Sequence, residues 1–380
     1  MLTNADLADL AAFRHSLHRQ PELSGAEAET AAAVLAFTES TRPDAVLTGL
    51  GGHGVALVFG GAEPGPTVMI RAELDALPII ETGTIAHVSE RPGVAHLCGH
   101  DGHTTILCGL ARLLHRQRPA RGRVVLLFQP AEEDGSGAAA VLADPRFAQI
   151  APDWAFALHN LPGLPFGRVI LEPGPANCAS VGLKLVFQGR TAHAAEPHKA
   201  ISPAATLATL IPGLMGLGTG GDLGPDFRLV TLTHLTMGEP AFGITPGQAE
   251  LWATLRSLTD DRMAALKAEA LAMAQGAAAE AGLALSQSWH DDFAACTNDP
   301  QATEVFRRAI AAEVIPLIPG PALRASEDFG RFGAGARACM AYFGAGEACP
   351  ALHAPDYDFP DDLIPLGIRA FHRVIRELLG

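Results

Sequence analysis

The segment His96-Leu97-Cys98-Gly99-His100-Asp101-Gly102-His103 places four imidazole or thiol groups and a carboxylate within eight residues. Thiolate and neutral imidazole are the favoured protein ligands of zinc and similar divalent ions. Cys98 and His100 lie two positions apart and would point to nearly opposite sides of a helix, so only a turn can bring them onto one ion. Gly99 and Gly102 supply that turn, and the apolar stretch Thr105 to Leu114 reads as the helix that follows. Taken alone, the segment also fits a buried cysteine beside surface histidines. The case for a metal depends on further ligands.

Further candidates stand where strands end. Arg123 to Gln129 (RVVLLFQ) is a short apolar run closed by Pro130, as a fully buried strand would be, and Glu132-Glu133-Asp134 and Gly135-Ser136-Gly137 follow. Asp153 to Leu158 (DWAFAL) is a second such run and ends in His159-Asn160. Near the C-terminus, Leu352-His353-Ala354-Pro355 sets a histidine ahead of Pro355, whose ring favours extended backbone before it. Ligands of open α/β sheets gather outside the carboxyl ends of strands, so these three positions fit one site. Each has an ordinary explanation by itself: a solvated loop for the paired glutamates, a satisfied polar group for a lone histidine. With the cysteine motif they read together as a metal site.

Other landmarks are Arg14-His15-Ser16-Leu17-His18, Pro21-Glu22-Leu23-Ser24, Arg71-Ala72-Glu73-Leu74-Asp75-Ala76-Leu77-Pro78, Gly189-Arg190-Thr191-Ala192-His193-Ala194-Ala195 and Ala325-Ser326-Glu327-Asp328-Phe329. In order and spacing the whole set resembles the M20 family of metallopeptidases and amidohydrolases. The likeness is to its N-acyl-amino-acid amidohydrolase branch, which includes hippurate and auxin-conjugate hydrolases. The resemblance implies five metal ligands, Cys98, His100, Glu133, His159 and His353. Five are too many for one four-coordinate structural zinc and suit two divalent ions per subunit, with Cys98 as the bridge. The thiolate favours zinc, with manganese or cobalt able to occupy the same ligands. It further implies Glu132 as general base, Asp75 as the acid that orients a ligand or the base, and His193 as the group that crosses to a partner subunit and polarises the scissile carbonyl. Arg256 and Asn160 are implied substrate contacts, the arginine through a carboxylate. Gly243-Ile244-Thr245-Pro246 departs from the Asn-Val-Ile-Pro of many relatives, which removes one expected contact. Asp101 is either a second orienting acid or a solvated helix-start carboxylate. Glu327 and Asp328 either line the pocket rim or start an exposed helix.

At 380 residues and 48% hydrophobic, the chain is long enough for two domains with ample core. Six cysteines are sparse and unpatterned, which argues against a disulfide framework. There is no apolar run of membrane-spanning length, and Met1-Leu2-Thr3-Asn4-Ala5-Asp6 has no signal-peptide character, so a cytoplasmic enzyme is expected. A net charge of −14 argues against nucleic acid or anionic membrane as partners. The expected partners are a small N-acyl amino acid substrate and a second copy of the chain.

Helical character over Ala5–His18 and Ala26–Ser40 and strand character over Val55–Phe59 and Thr67–Arg71 open an α/β catalytic domain with a mixed sheet flanked by helices. A new unit begins near Val181–Phe187, continues with a helix over Ser202–Leu217 interrupted or ended near Pro212, and adds strands at Phe227–Leu235 and Gln248–Leu255. A long Ala-rich helix (Asp260–Ala281) and a last strand (Ala284–Trp289) complete it. The expected architecture is a catalytic domain of residues 1–178 and 290–380, carrying a smaller inserted α+β sandwich, a lid and dimerisation domain, at 179–289.

Two rival readings are weaker. Gly49-Leu50-Gly51-Gly52-His53-Gly54 and Gly216-Leu217-Gly218-Thr219-Gly220-Gly221 fit a loose dinucleotide pattern and would allow a zinc alcohol dehydrogenase. Neither opens a helix after a strand, as that site requires. A non-catalytic metal-binding relative would have no need of Glu132 beside Glu133. Within the same fold, a dipeptidase or aminoacylase-type metallopeptidase is the alternative activity.

Overall fold

Val124 to Phe128 are fully buried, and that continuous apolar run forms the middle of strand Arg121–Gln129, covered on both faces. A computed structural model describes residues 2–380. It divides into two units: Met1–Ala176 with Cys296–Gly320 and Asp328–Gly380, and Asn177–Ala295 with Pro321–Glu327.

In the first unit, strands Ala45–Leu50, Gly54–Gly60, Arg121–Gln129, Glu63–Glu73, Trp154–Pro162, Arg337–Gly346, Val169–Ile170 and Leu317–Ile318 lie in that order across one sheet. The first three pair antiparallel. Arg121–Gln129, Glu63–Glu73, Trp154–Pro162 and Arg337–Gly346 are mutually parallel. Their carboxyl ends therefore share one edge. Helices Asn4–Arg19, Ala28–Thr38, His100–Arg116, Pro300–Ala312 and Leu363–Leu379 flank the sheet. The last carries a helical-period stripe, Ile364, Ile368, Phe371, Ile375 and Leu379, all buried.

In the second unit, strand Ala179–Gln188 is followed by helix Ala204–Gly216, strands Arg228–Met237 and Gln248–Ser257, helix Asp260–Glu280 and strand Ala284–Phe293. This β-α-β-β-α-β sequence builds an antiparallel four-stranded sheet of ferredoxin-like order. Val181, Leu183, Leu185 and Phe187 alternate inward, and Leu207, Leu210, Leu214, Leu266, Ala270 and Ala274 of the two helices join them in one core.

Two local expectations are corrected. Pro212 does not interrupt its helix, which runs through it to Gly216. Both Pro212 and Ala208 are exposed, so water can satisfy the carbonyl that loses its donor. The helix expected from Thr105 begins at His100, because Gly99 takes a left-handed φ of 94° and turns the chain directly into it.

A buried polar cluster ties the strand ends together. Arg71 pairs with Glu73, donates from Nε to Gln129 Oε1 at 2.9 Å, and from Nη2 to Asp328 Oδ1 at 2.6 Å. Asp328 also accepts from the Ala138 backbone N–H at 2.7 Å. Asp328 and Glu327 are both buried, so neither starts an exposed helix. Asp328→Ala removes one of the two carboxylates paired with the buried Arg71 guanidinium, and removal of one partner of a buried pair costs roughly 3–5 kcal/mol. Urea unfolding of the variant is expected to show a loss of that size. A loss under about 1 kcal/mol would mean that water or Glu73 compensates fully.

Candidate metal centre

Three overlapping groups of side chains meet at the carboxyl edge of the parallel strands: Cys98, His100 and His159; Cys98, Glu133 and His353; His100, Glu132 and Glu133. Within each, the potential ligand atoms lie within 4.8 Å of one another. The five expected ligand residues are thus brought together from four places in the chain. Cys98 comes just before helix His100–Arg116, and His100 is its first residue. Glu132 and Glu133 occupy the turn after strand Arg121–Gln129. His159 and Asn160 lie inside strand Trp154–Pro162 rather than at its end.

His353 stands in the loop before the final helix with a left-handed φ of 65°, not the extended backbone expected from Pro355. Proline restricts the residue directly before it, which is Ala354. The His353 N–H is held by the Leu97 carbonyl at 2.8 Å, which fixes this loop to the cysteine segment. Ala131, beside the glutamates, also has a positive φ of 51°. A non-glycine residue in this region stores of order 1–3 kcal/mol and persists where surrounding contacts over-determine it.

The hydrogen bonds of each histidine show which nitrogen faces the cluster. His100 donates from Nδ1 to the Asp75 carbonyl at 2.9 Å, leaving Nε2 buried without a hydrogen-bond partner. That Nε2 lies 3.9 Å from Glu132 Oε2 and 3.8 Å from Glu133 Oε1. His159 donates from Nδ1 to the Asn160 carbonyl at 2.7 Å, so its Nε2 faces Cys98 Sγ at 3.4 Å. His353 Nε2 is 3.6 Å from Glu133 Oε2. A lone-pair nitrogen braced through its other N–H is the usual arrangement of a metal-binding histidine.

Asp75 organises one side of this cluster. Its Oδ2 accepts from the Glu133 backbone N–H at 2.9 Å and from Ser24 Oγ at 2.7 Å. Its Oδ1 is 3.3 Å from His100 Nδ1. Burial opposes its ionisation, but His100 and these donors outweigh burial and hold its pKa below the usual carboxylate value. Ala131 N–H is held at 2.8 Å by Glu27, a buried carboxylate that sequence reading did not single out.

The local field suits a cation. Burial pushes the Cys98 thiol well up, and the charges of Glu133, Glu132 and Glu73 push it further. Burial works against protonation of His100, yet the hydrogen bond to Asp75 and the charge of Glu73 raise it to about 10. Burial, then the neighbouring His103, lowers His159 to about 3, so its imidazole is neutral. A buried unpartnered nitrogen facing carboxylates, beside a thiol and a neutral imidazole, is a donor set that fits divalent ions. Such ions would take the place of the protons on Cys98 and His100.

Other expected residues fall elsewhere. Asp101 is no solvated helix start: it is buried and accepts from Arg14 at 3.0 Å and from His18 at 2.9 Å. Asn160 is fully buried with both ends of its amide engaged inside the protein, donating to the Cys98 carbonyl and accepting from Tyr357. In the second unit, His193 is exposed on a two-residue strand paired with Ile244–Thr245. Arg256 donates from Nη1 to Ser326 Oγ at 2.7 Å and to the Arg324 carbonyl at 3.0 Å.

A cation-binding cluster at the strand ends of a parallel sheet, with a second carboxylate beside a ligand, is the equipment of a metal-dependent hydrolase. Residues 69–377 match peptidase family M20/M25/M40, and the chain belongs to this family. It is 31% identical over 340 residues to N-acetyl-L-cysteine deacetylase of Bacillus subtilis, covering 88% of this chain and 80% of that one. It is 29% identical over 369 residues to N-acetyldiaminopimelate deacetylase of Exiguobacterium sibiricum, covering 96% and 98%. A crystal structure of a dinuclear metal-binding M20 peptidase from Bacillus subtilis superposes with a TM-score of 0.84 at 26% identity, covering 100% and 99%.

Proposed function

We propose that this enzyme cleaves the amide bond of an N-acyl amino acid to a carboxylic acid and a free amino acid. The observation that carries the reading is the placing of Glu132 and Glu133 on the same His100 nitrogen, beside the Cys98–His159 pair. One carboxylate can then serve as ligand while its neighbour remains a base. The names of the deacetylase relatives support the substrate class.

Cys98, His100, Glu133, His159 and His353 would hold two divalent ions, zinc being favoured by the thiolate, and such ions acidify water and polarise an amide carbonyl. Glu132 takes the proton from the attacking water and delivers it to the departing amine nitrogen. Asp75 fixes the His100 tautomer and the Glu133 backbone, so neither ligand has to reorient during turnover. The second unit is read as the lid and dimerisation domain. Its His193 donates to the scissile carbonyl oxygen of a partner subunit's substrate, and Arg256 pairs with the substrate carboxylate. A cytoplasmic homodimer is the form proposed; no helix among the described residues is long and apolar enough to cross a membrane.

The test is a panel of N-acetyl, N-benzoyl and indole-acyl amino acids alongside free dipeptides, read by amine release. Turnover confined to dipeptides would replace this reading with a dipeptidase.

The ligand assignment makes its own prediction. His100→Ala, His159→Ala and His353→Ala are each expected to lower the bound metal measured by elemental analysis. His103→Ala should lower it less, because both His103 ring nitrogens are hydrogen-bonded within the protein. Equal loss at His103 would shift the ligand register by one turn of the helix.

A further inference from the structure

Asn160 touches both sides of the candidate metal centre without contributing a ligand. Its Nδ2 donates to the Cys98 carbonyl at 2.7 Å, and its own backbone carbonyl accepts the His159 Nδ1 hydrogen at 2.7 Å. One residue therefore sets where the Cys98 backbone sits and which way the His159 ring points.

Two further side chains hold Asn160 in place, and a third braces one of them. Tyr357 donates its hydroxyl to Asn160 Oδ1 at 2.6 Å. His103 Nε2 faces the Asn160 backbone N–H at 3.1 Å and its Nδ2 at 3.2 Å. With two N–H groups directed at it, that nitrogen is an acceptor, so His103 carries its proton on Nδ1. That proton is donated to Glu73 Oε2 at 2.7 Å. Glu73 is in turn paired with Arg71, inside the cluster that reaches the Ala138 backbone through Asp328. Glu73, Asn160 and Tyr357 have no exposed surface, and His103 has 2%. The His103 ring also packs edge-on against His159, with centroids 4.7 Å apart. Close packing closes the remaining side, since a Cβ on Gly99 would lie 2.3 Å from Asn160 Nδ2.

We propose that Glu73, His103, Asn160 and Tyr357 form a positioning relay that fixes the separation of Cys98 from His159 and so sets the affinity for metal. None of the four takes part in bond making. A buried network with every member satisfied holds one geometry, and loss of one member leaves an unpaired polar group beside the ligands. The inference rests on the reading of Cys98 and His159 as metal ligands.

The experiment loads the purified full chain with cobalt(II) and measures its affinity by competition with a chelator. It also records the near-ultraviolet thiolate-to-cobalt band that reports on Cys98. Tyr357→Phe removes one hydroxyl and keeps the buried ring, so it is the variant least prone to unfold. It and His103→Ala are expected to weaken cobalt binding by roughly 10–100-fold, the usual effect of losing a ligand's outer partner. The thiolate band should shift or weaken in both. His103→Gln keeps an acceptor toward Asn160 and should fall between wild type and His103→Ala. The double variant should lose less than the product of the two single losses, because both act through Asn160. The melting temperature of the metal-free proteins separates stability from affinity. Wild-type cobalt affinity and an unchanged band in Tyr357→Phe and His103→Ala, whatever their melting temperatures, would overturn the relay. Absence of the thiolate band in the wild type would overturn the ligand reading itself, and the relay with it.

Discussion

Glu132→Gln is expected to retain wild-type metal content and to lower turnover by roughly 10²–10⁴-fold, the range for loss of general acid–base catalysis. The substitution is nearly isosteric and removes only the charge and the ability to carry a proton. Two anchors should keep the turn intact around it. The Ala131 N–H is held by Glu27, and the Glu133 N–H by Asp75. Glu133 would therefore stay where His100 and His353 meet it, at 3.8 and 3.6 Å. The kcat is expected to fall while KM moves little, because the lost interaction belongs to proton transfer and not to substrate affinity. Elemental analysis run beside the kinetics decides the matter. Metal lost in proportion to activity would make Glu132 a ligand and leave the reaction without its base.

Much of this was legible from local chemistry. A Cys-x-His pair around a glycine, glutamates after an apolar run and a histidine in a late loop each point to a strand-edge site. The β-α-β-β-α-β unit could be followed because Val181 to Phe187 alternates inward and outward. What the sequence hid was set by tertiary contacts. Asp101 and Asp328 look like solvated helix starts in one dimension. Arg14 and His18 bury the first, and Arg71 and Gln129 the second, across large separations in the chain. Asn160 follows His159 on the same strand, and its partners Tyr357 and His103 lie far from it in the chain. Glu27 and Tyr357 gave no signal, since a lone glutamate near a helix start and a tyrosine in a loop are commonplace.

The second large effect concerns His193. The candidate metal ligands all belong to the first unit, whereas His193 belongs to the second and lies exposed on it. Under the proposed function, this imidazole donates to the scissile carbonyl in the site of a partner subunit. Loss of one such oxyanion donor costs roughly 10²–10³-fold in kcat. His193→Ala and Glu132→Gln homodimers should then both be nearly inactive while retaining their metal. Co-expression of the two variants should restore activity, because a heterodimer with two-fold symmetry has one site with both defects and one with neither. Random assortment makes about half of the dimers heterodimers, each with one good site of two, so recovery near a quarter of wild type is expected. Separately tagged chains allow the heterodimer to be isolated, where the expected recovery rises to about half. If His193 instead acted within its own chain, every site in the heterodimer would carry one defect and the mixture would stay as inactive as its parents. A purified heterodimer without activity would therefore return His193 to its own subunit or remove it from the reaction.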